Sequence, residues 1–153
     1  MNREKWVWFD MDGTIADLYN VDNWLEDILS HSTEPFRKAK DLYQLGDLLG
    51  LMVELKLKGY KIGIVSWSTK ERNASFDVQV TIAKREWLER RLLDIFLDEI
   101  IIAPYGTCKA DLCRKFGEGI LVDDEEQNRK AWDLGLTIDA NEDIISLLKT
   151  ITR

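Results

Sequence analysis

Two aspartates, Asp10 and Asp12, directly follow a short apolar segment and are themselves followed by Gly13. In a loop that curls away from the end of a strand, the first carboxylate can face a ligand crevice, and the next backbone N–H groups can bind a phosphate. Gly13 permits a tight turn and a close approach of the backbone. An isolated Asp-x-Asp-Gly segment is also typical of an ordinary acidic turn. Its chemistry therefore depends on what the rest of the chain supplies.

Three other positions supply groups that complement this acid pair. Ser66 ends a second apolar segment, Lys109 opens a predicted helix, and Asp123 and Asp124 end a third apolar segment. Phosphoryl transfer uses these groups: a carboxylate attacks phosphorus, a metal neutralises phosphate oxygens, and lysine and serine hold the transferring group. The combination predicts a phosphoryl-transfer site.

Two further polar residues, Lys84 and Ser68, are candidates for the same site. Lys84 lies in a predicted helix among Arg85, Glu86 and Glu89, which indicates a solvated helix face, so we prefer Lys109 as the lysine of the site. Ser68 follows Ser66 closely, but we interpret it as the N-cap of the next helical turn.

The elements that would position these residues alternate along the chain. Short apolar runs predict buried strands at residues 6–9, 61–65, 99–103, 119–122 and 136–138. Helical patterns lie between and after them at residues 46–58, 80–93, 109–116, 125–134 and 141–151. This alternation predicts an α/β fold with a Rossmann-like open parallel sheet of five strands and helices on both faces. Ligands bind such sheets at the carboxyl ends of the strands.

The connection between the first two strands is far longer than one helix requires. Residues 20–45 remain when that helix is subtracted. We predict a small cap insertion here, helical over residues 21–30 and then a polar loop that contains Pro35. Trp24, Phe36 and Tyr43 either form a lid that stacks on a base or sugar of the substrate, or form a small core that holds the insertion down. Both interpretations stay open from the sequence.

The ordered set of motifs resembles the haloacid-dehalogenase (HAD) superfamily of phosphatases, and the match covers nearly the whole chain. That family's four motifs occur here in the same order: DxDGT at Asp10 and Asp12, a hydroxyl at Ser66, a lysine at Lys109, and an acid pair at Asp123 and Asp124. The Asp-Asp form of the last motif also occurs in 5′(3′)-nucleotidase-like members.

The resemblance implies a fold and a reaction. It implies a single domain over residues 1–153 with the strand order 5-4-1-2-3. It also implies a Mg²⁺-dependent phosphomonoester hydrolase in which Asp10 forms an aspartyl-phosphate and Asp12 is the general acid and base. Lys109 would keep Asp10 from being repelled by the phosphate.

The same resemblance implies the metal ligands. They would be the Asp10 carboxylate, the Asp12 backbone carbonyl and the Asp124 carboxylate. Asp123 would orient a metal-bound water, or would itself be the ligand in place of Asp124.

The expected substrate is a nucleotide or another small phosphorylated metabolite. A polynucleotide or phosphoprotein phosphatase with the same site is an alternative, and so is a phosphotransferase. A receiver-like module, which holds the phosphate without turnover, is a further one. In receiver domains, however, the phosphoacceptor lies on the third strand, and here that strand ends at Ala103 and Pro104 without an aspartate.

The composition of the chain bears on which binding partners and which cellular compartment are expected. The 153 residues carry a net charge of −7, which argues against strong nucleic-acid binding because that requires a basic face. The two cysteines suit a reducing compartment, and no signal peptide or membrane span is evident. We expect a cytoplasmic protein that binds no membrane; its oligomeric state is open.

Overall fold

The computed structural model describes residues 4–153. In chain order, its strands are β1 (Lys5–Phe9), β2 (Ala16–Asp17), β3 (Lys40–Asp41), β4 (Tyr60–Trp67), β5 (Glu99–Ala103), β6 (Gly119–Asp123) and β7 (Thr137–Asp139). Its α-helices are α1 (Trp24–Leu29), α2 (Glu34–Lys38), α3 (Leu45–Leu57), α4 (Ala74–Arg90), α5 (Lys109–Cys113), α6 (Glu126–Lys130) and α7 (Ile144–Ile151). Short 3-10 helices span Leu18–Asn20, Asp94–Phe96 and Arg114–Phe116.

Five of the strands form one parallel sheet in the order β5-β4-β1-β6-β7. The predicted α/β class and parallel sheet are confirmed. The sequence did not predict β2 and β3, which pair antiparallel beside this sheet, so the strand numbers run 5-4-1-6-7 where the prediction had 5-4-1-2-3. The difference is one of numbering: read from the β7 edge and counted among the five parallel strands alone, the order is fifth, fourth, first, second, third. The central β1 therefore lies between β4 and β6, and their carboxyl ends share one edge.

Alternate residues of β1 point to opposite faces of the sheet, as strand geometry requires. Val7 and Phe9 belong to a core that also contains the buried residues of α3 and α7. Trp6 and Trp8 belong to a second core, with Ala110 of α5 on the other face. Helices thus cover both faces, as predicted.

The second core is built around two stacked indoles. The Trp6 and Trp8 rings lie 4.7 Å apart between centroids with an interplanar angle of 9°. Trp8 is in register with Gly63 on β4, and Trp6 with Gly119 on β6. A Cβ on Gly63 would lie 2.3 Å from Cζ3 of Trp8, so glycine leaves the space that the indole occupies.

Two helix predictions were wrong for local reasons. Helix α4 begins six residues before the predicted start at residue 80, because Asn73 caps it by accepting the Phe76 N–H at 2.9 Å. Ser68, the predicted cap, instead donates to Asp77. Pro35 lies in the first turn of α2 rather than in a loop, because that position requires no N–H donor.

The insertion, residues 20–45, packs on α4. Its Ile28 and Phe36 share a core with Phe76 and Val80 of that helix. Arg91, just after α4, donates to the Ala39 carbonyl at 3.1 Å and pairs with Asp41 at 2.7 Å. These contacts join the middle and the later part of the insertion to α4 and to the residue that follows it.

Across residues 4–153, no helix combines the length and the apolar character needed to cross a bilayer.

Gly63→Ala should destabilise the protein, by about 1–3 kcal/mol or more, because the added methyl group overlaps the Trp8 ring. Gly50→Ala is the matched control: within the described residues, its Cβ meets no atom within 4 Å. Since Gly50 lies inside α3, alanine there should stabilise by roughly 0.5–1 kcal/mol. Urea denaturation followed by circular dichroism measures both; equal effects of the two variants would contradict the packing described for Trp8.

Candidate active site

Asp10 is held at the carboxyl edge of the sheet by its own backbone. Its N–H donates to the Val122 carbonyl of β6 at 2.9 Å. The loop after it closes on the Met11 carbonyl, which accepts the N–H groups of Thr14, Ile15 and Ala16 at 3.0–3.1 Å. The Asp10 carboxylate, 10% exposed, therefore projects from a fixed turn.

Lys109, at the start of α5, lies between Asp10 and Asp123 and pairs with both. Its Nζ donates to Oδ1 of Asp10 at 2.9 Å and to Oδ2 of Asp123 at 2.7 Å. Burial lowers the pKa of Lys109, but the charges of Asp10 and Asp123 outweigh burial and raise that pKa above its usual value. Lys109 is therefore a fixed positive charge beside the Asp10 carboxylate.

Asp123 is fully buried, and both of its carboxylate oxygens are already engaged. Oδ1 accepts the Glu125 N–H at 2.9 Å, and Oδ2 accepts from Asn128 at 3.1 Å as well as from Lys109. Burial and the Asp10 charge raise the pKa of Asp123, while Lys109 lowers it. The contacts make Asp123 a support for Lys109.

Asp124 points toward Asp10, and its surroundings differ from those of Asp123. Among residues 4–153, neither Lys84 nor Lys109 forms an ion pair with it. Burial, then the charge of Asp10 and a hydrogen bond with it, raise the pKa of Asp124 to about 8. Burial is the larger cause of this rise and the Asp10 charge adds to it, while the two lysines pair with the other three carboxylates.

A divalent cation would fit beside Asp10 and Asp124. Asp10, Asp123 and Asp124 each offer one carboxylate oxygen, and these oxygens lie within 4.8 Å of one another. Hard divalent cations prefer such oxygen ligands. Because the Asp123 oxygens already accept three hydrogen bonds, Asp10 and Asp124 are the better ligands. The Asp12 carbonyl stays a predicted third ligand.

The prediction that Lys84 lies on a solvated helix face was wrong, because Lys84 lies in the site. It is 1% exposed. Its Nζ donates to Oδ2 of Asp12 at 2.8 Å, to Oγ of Ser66 at 2.9 Å and to the Trp67 carbonyl at 2.7 Å. The site thus contains two lysines, one for each of the carboxylates Asp10 and Asp12.

A periodic signal could have revealed Lys84. Val80, Ala83, Trp87 and Leu88 are buried on one face of α4, and Lys84 falls on the same stripe of i, i+3, i+4 and i+7 positions. A lysine that continues a stripe of apolar residues is expected to be buried, even where charged residues such as Arg85, Glu86 and Glu89 lie next to it in sequence.

The Asp12 carboxylate has an environment suited to proton transfer. Burial raises its pKa, Lys84 lowers it, and the Asp10 charge raises it again, with a net rise. A raised pKa favours the protonated form of the carboxyl group, which is the form that a general acid requires.

A cavity of about 280 Å³ opens beside the acid pairs. Tyr19, Trp24 and Phe36 form one wall, and Tyr105 lies on another. Asp12 lines both this cavity and a smaller pocket of about 60 Å³, which contains Asp10, Ser66 and Lys109 among others. A small pocket lined mainly by polar side chains thus adjoins a larger one whose lining is mainly apolar.

The three aromatic residues that the sequence left together, Trp24, Phe36 and Tyr43, have different surroundings in the structure. Trp24 lines the cavity and contacts the Tyr19 ring edge-on, 5.0 Å between centroids. Tyr43 packs against the main core and donates its hydroxyl to the Glu142 carbonyl at 3.2 Å. Phe36 is buried and belongs to the core between the insertion and α4, although one edge of it reaches the cavity.

No protein-family model matches this chain, and no curated protein matches it significantly in sequence. The resemblance to the HAD superfamily therefore rests on the motif residues of the sequence and stays a prediction.

Gly13→Ala should weaken the binding of Mg²⁺ by about tenfold or more. A Cβ on Gly13 would lie 2.3 Å from Oδ2 of Asp124, so the carboxylate would have to move. Gly59→Ala is the matched control, because Gly59 has a similar φ of +90° against +79°, but its Cβ meets no described atom within 4 Å. Isothermal titration with Mg²⁺ measures both affinities; an equal loss in the two variants would show that backbone strain alone is responsible.

Proposed function

We propose that this protein is a Mg²⁺-dependent phosphomonoester hydrolase of the HAD type that acts through an aspartyl-phosphate on Asp10. The observation that carries the proposal is the pairing of two aspartates on one loop with two buried lysines. Lys109 contacts Asp10 and Lys84 contacts Asp12. A nucleophile and a proton donor are thus held two residues apart, each by its own cation.

Asp10 and Asp124 would hold the cation, with Asp123 supporting Lys109 beside them. When bound, Mg²⁺ supplies positive charge that offsets the carboxylates and the phosphate oxygens.

In the first step, a carboxylate oxygen of Asp10 attacks phosphorus, and the bond from phosphorus to the leaving oxygen breaks. Asp12 transfers its proton to that leaving oxygen. Lys109 and the Ser66 hydroxyl hold the phosphoryl oxygens, since both line the small pocket with Asp10. Lys109 also reduces the repulsion between the carboxylate and the anionic substrate.

In the second step, a water oxygen attacks the phosphorus of the aspartyl-phosphate. The water proton passes to Asp12, which the first step left as a carboxylate. The bond between phosphorus and Asp10 then breaks, which releases phosphate and restores both aspartates. The two-residue spacing allows Asp12 to serve as acid and then as base on the same side of the phosphorus.

A nucleotide or another small phosphorylated metabolite is the substrate class that the cavity supports. Its volume of about 280 Å³ suits a small group, and its walls carry Tyr19, Trp24 and Tyr105. Aromatic side chains bind planar rings by stacking. The net charge of −7 disfavours a long polynucleotide, which requires several cationic contacts.

Asp10→Asn should abolish phosphatase activity, by roughly 1000-fold or more in kcat, because the amide keeps the shape of the side chain and removes the attacking charge. p-Nitrophenyl phosphate with Mg²⁺ is a suitable substrate, and EDTA should remove the activity of the unmodified protein reversibly. Asp111→Asn, at a side chain 69% exposed, is the control and should be fully active.

Acid quenching during turnover, followed by peptide mass spectrometry, should locate the phosphate on Asp10. Substantial activity in Asp10→Asn, or phosphate on another residue, would overturn the covalent mechanism.

Trp24→Ala should raise KM for nucleoside monophosphates and leave KM for p-nitrophenyl phosphate nearly unchanged, because Trp24 lines the larger cavity and not the small pocket. Tyr43→Ala is the matched aromatic control. It should lower the melting temperature without changing the relative preference for the two substrates, because Tyr43 packs in the core. The opposite assignment of these effects would show that Trp24 has a packing role only.

A further inference from the structure

We infer that Lys84 is a positioning residue that fixes the orientation of Asp12 for proton transfer and directs the Ser66 hydroxyl toward the phosphoryl group. The inference rests on the proposed function and assigns a role to a lysine outside the four motifs.

The hydrogen bonds of Lys84 account for its full donor capacity. A lysine ammonium group has three N–H donors and no acceptor. Three acceptors surround Nζ at 2.7–2.9 Å: Asp12, Ser66 and the Trp67 carbonyl. With each donor directed at a protein oxygen, Lys84 has none to offer a substrate. Its action is therefore exerted through Asp12 and Ser66, in contrast to Lys109, which lines the phosphoryl pocket.

The bond to Ser66 sets the direction of the serine hydroxyl. Because Oγ of Ser66 accepts from Lys84 at 2.9 Å, its own hydrogen must point to another acceptor. Ser66 lines the small pocket with Asp10 and Lys109, where a phosphoryl oxygen would be that acceptor. Lys84 thereby makes Ser66 a donor to the substrate.

The bond to Asp12 sets which of its oxygens handles the proton. Oδ2 of Asp12 accepts from Lys84 at 2.8 Å, which leaves Oδ1 to exchange a proton with the leaving oxygen and then with water. Rotation of the Asp12 carboxylate would break the bond to Lys84. The lysine therefore selects one rotamer and one reactive oxygen.

Water has little access to this arrangement. Lys84 is 1% exposed, and its Nζ lies 5.4 Å from the centroid of the Phe36 ring, which belongs to the insertion. The opposite flank is formed by β4 through Ser66 and Trp67. Because the ammonium group is enclosed in this way, a solvent molecule cannot readily take its place.

Lys84→Met tests the role, since methionine keeps an unbranched side chain and removes the three donors. Phenyl phosphate has a basic leaving group that requires a proton from Asp12, whereas p-nitrophenolate leaves without one. We expect kcat/KM to fall by about 100-fold or more on phenyl phosphate and by less than about tenfold on p-nitrophenyl phosphate. With p-nitrophenyl phosphate, a burst of p-nitrophenol equal to the enzyme concentration should also appear, because the second step still requires Asp12 as a base.

Arg85→Met is the matched control on the exposed side of α4. Arg85 donates only to the Ile100 carbonyl, at 3.2 Å, among the described contacts, so the ratio of the two substrates should not change. Equal losses on both substrates for Lys84→Met, without a burst, would overturn the positioning role and leave Lys84 a structural residue.

A second measurement uses the unmodified protein and does not depend on how the variant folds. In a crystal structure with Mg²⁺ and beryllofluoride, Nζ of Lys84 should bond Asp12, Ser66 and Trp67 and contact no fluorine. A fluorine within hydrogen-bonding distance of Lys84 would make it a substrate-binding lysine and overturn the inference. A protein that neither binds beryllofluoride nor hydrolyses either ester would overturn the proposed function, and the inference with it.

Discussion

Compensation of buried negative charge is the constraint on which this structure depends. Within residues 4–153, four aspartates lie together at the carboxyl edge of the sheet: Asp10, Asp12, Asp123 and Asp124. Two buried ammonium groups, those of Lys84 and Lys109, lie beside them. Unpaired charges are costly in such surroundings. Four carboxylates and two lysines leave two negative charges when all are ionised, and this remainder lies where Asp124 meets Asp10. A divalent cation has the charge that balances it.

The sheet topology makes this compensation possible. Lys109 comes from α5, which packs on the face of Trp6 and Trp8, whereas Lys84 comes from α4, whose Trp87 packs in the core on the opposite face. The two lysines therefore approach the loop after β1 from two sides, and each reaches a different aspartate. Only a central strand with helices on both faces can be approached in this way.

Much of this arrangement could be predicted from the sequence, because buried parallel strands are short apolar runs and their polar termini mark a ligand edge. Asp10, Asp12, Ser66 and the acid pair at Asp123 and Asp124 follow such strands, whereas Lys109 was predicted from its position at the start of a helix. Lys84 was missed because charged neighbours in sequence concealed an apolar stripe. The strands β2 and β3 are two residues long and carry too little pattern to detect. The cavity depends on contacts between distant segments, which local patterns do not encode.

Two parts of the insertion differ in what they contact, and this has a consequence for evolution. Its Phe36 ring lies over Lys84 and also reaches the cavity, so a change at Phe36 would disturb the lysine that contacts Asp12. Tyr19, just before the insertion, and Trp24 face the open cavity and contact none of the motif carboxylates by a hydrogen bond in the described residues. Selection for a new substrate could therefore alter the cavity surface freely, while purifying selection would act on the surface that covers the lysine.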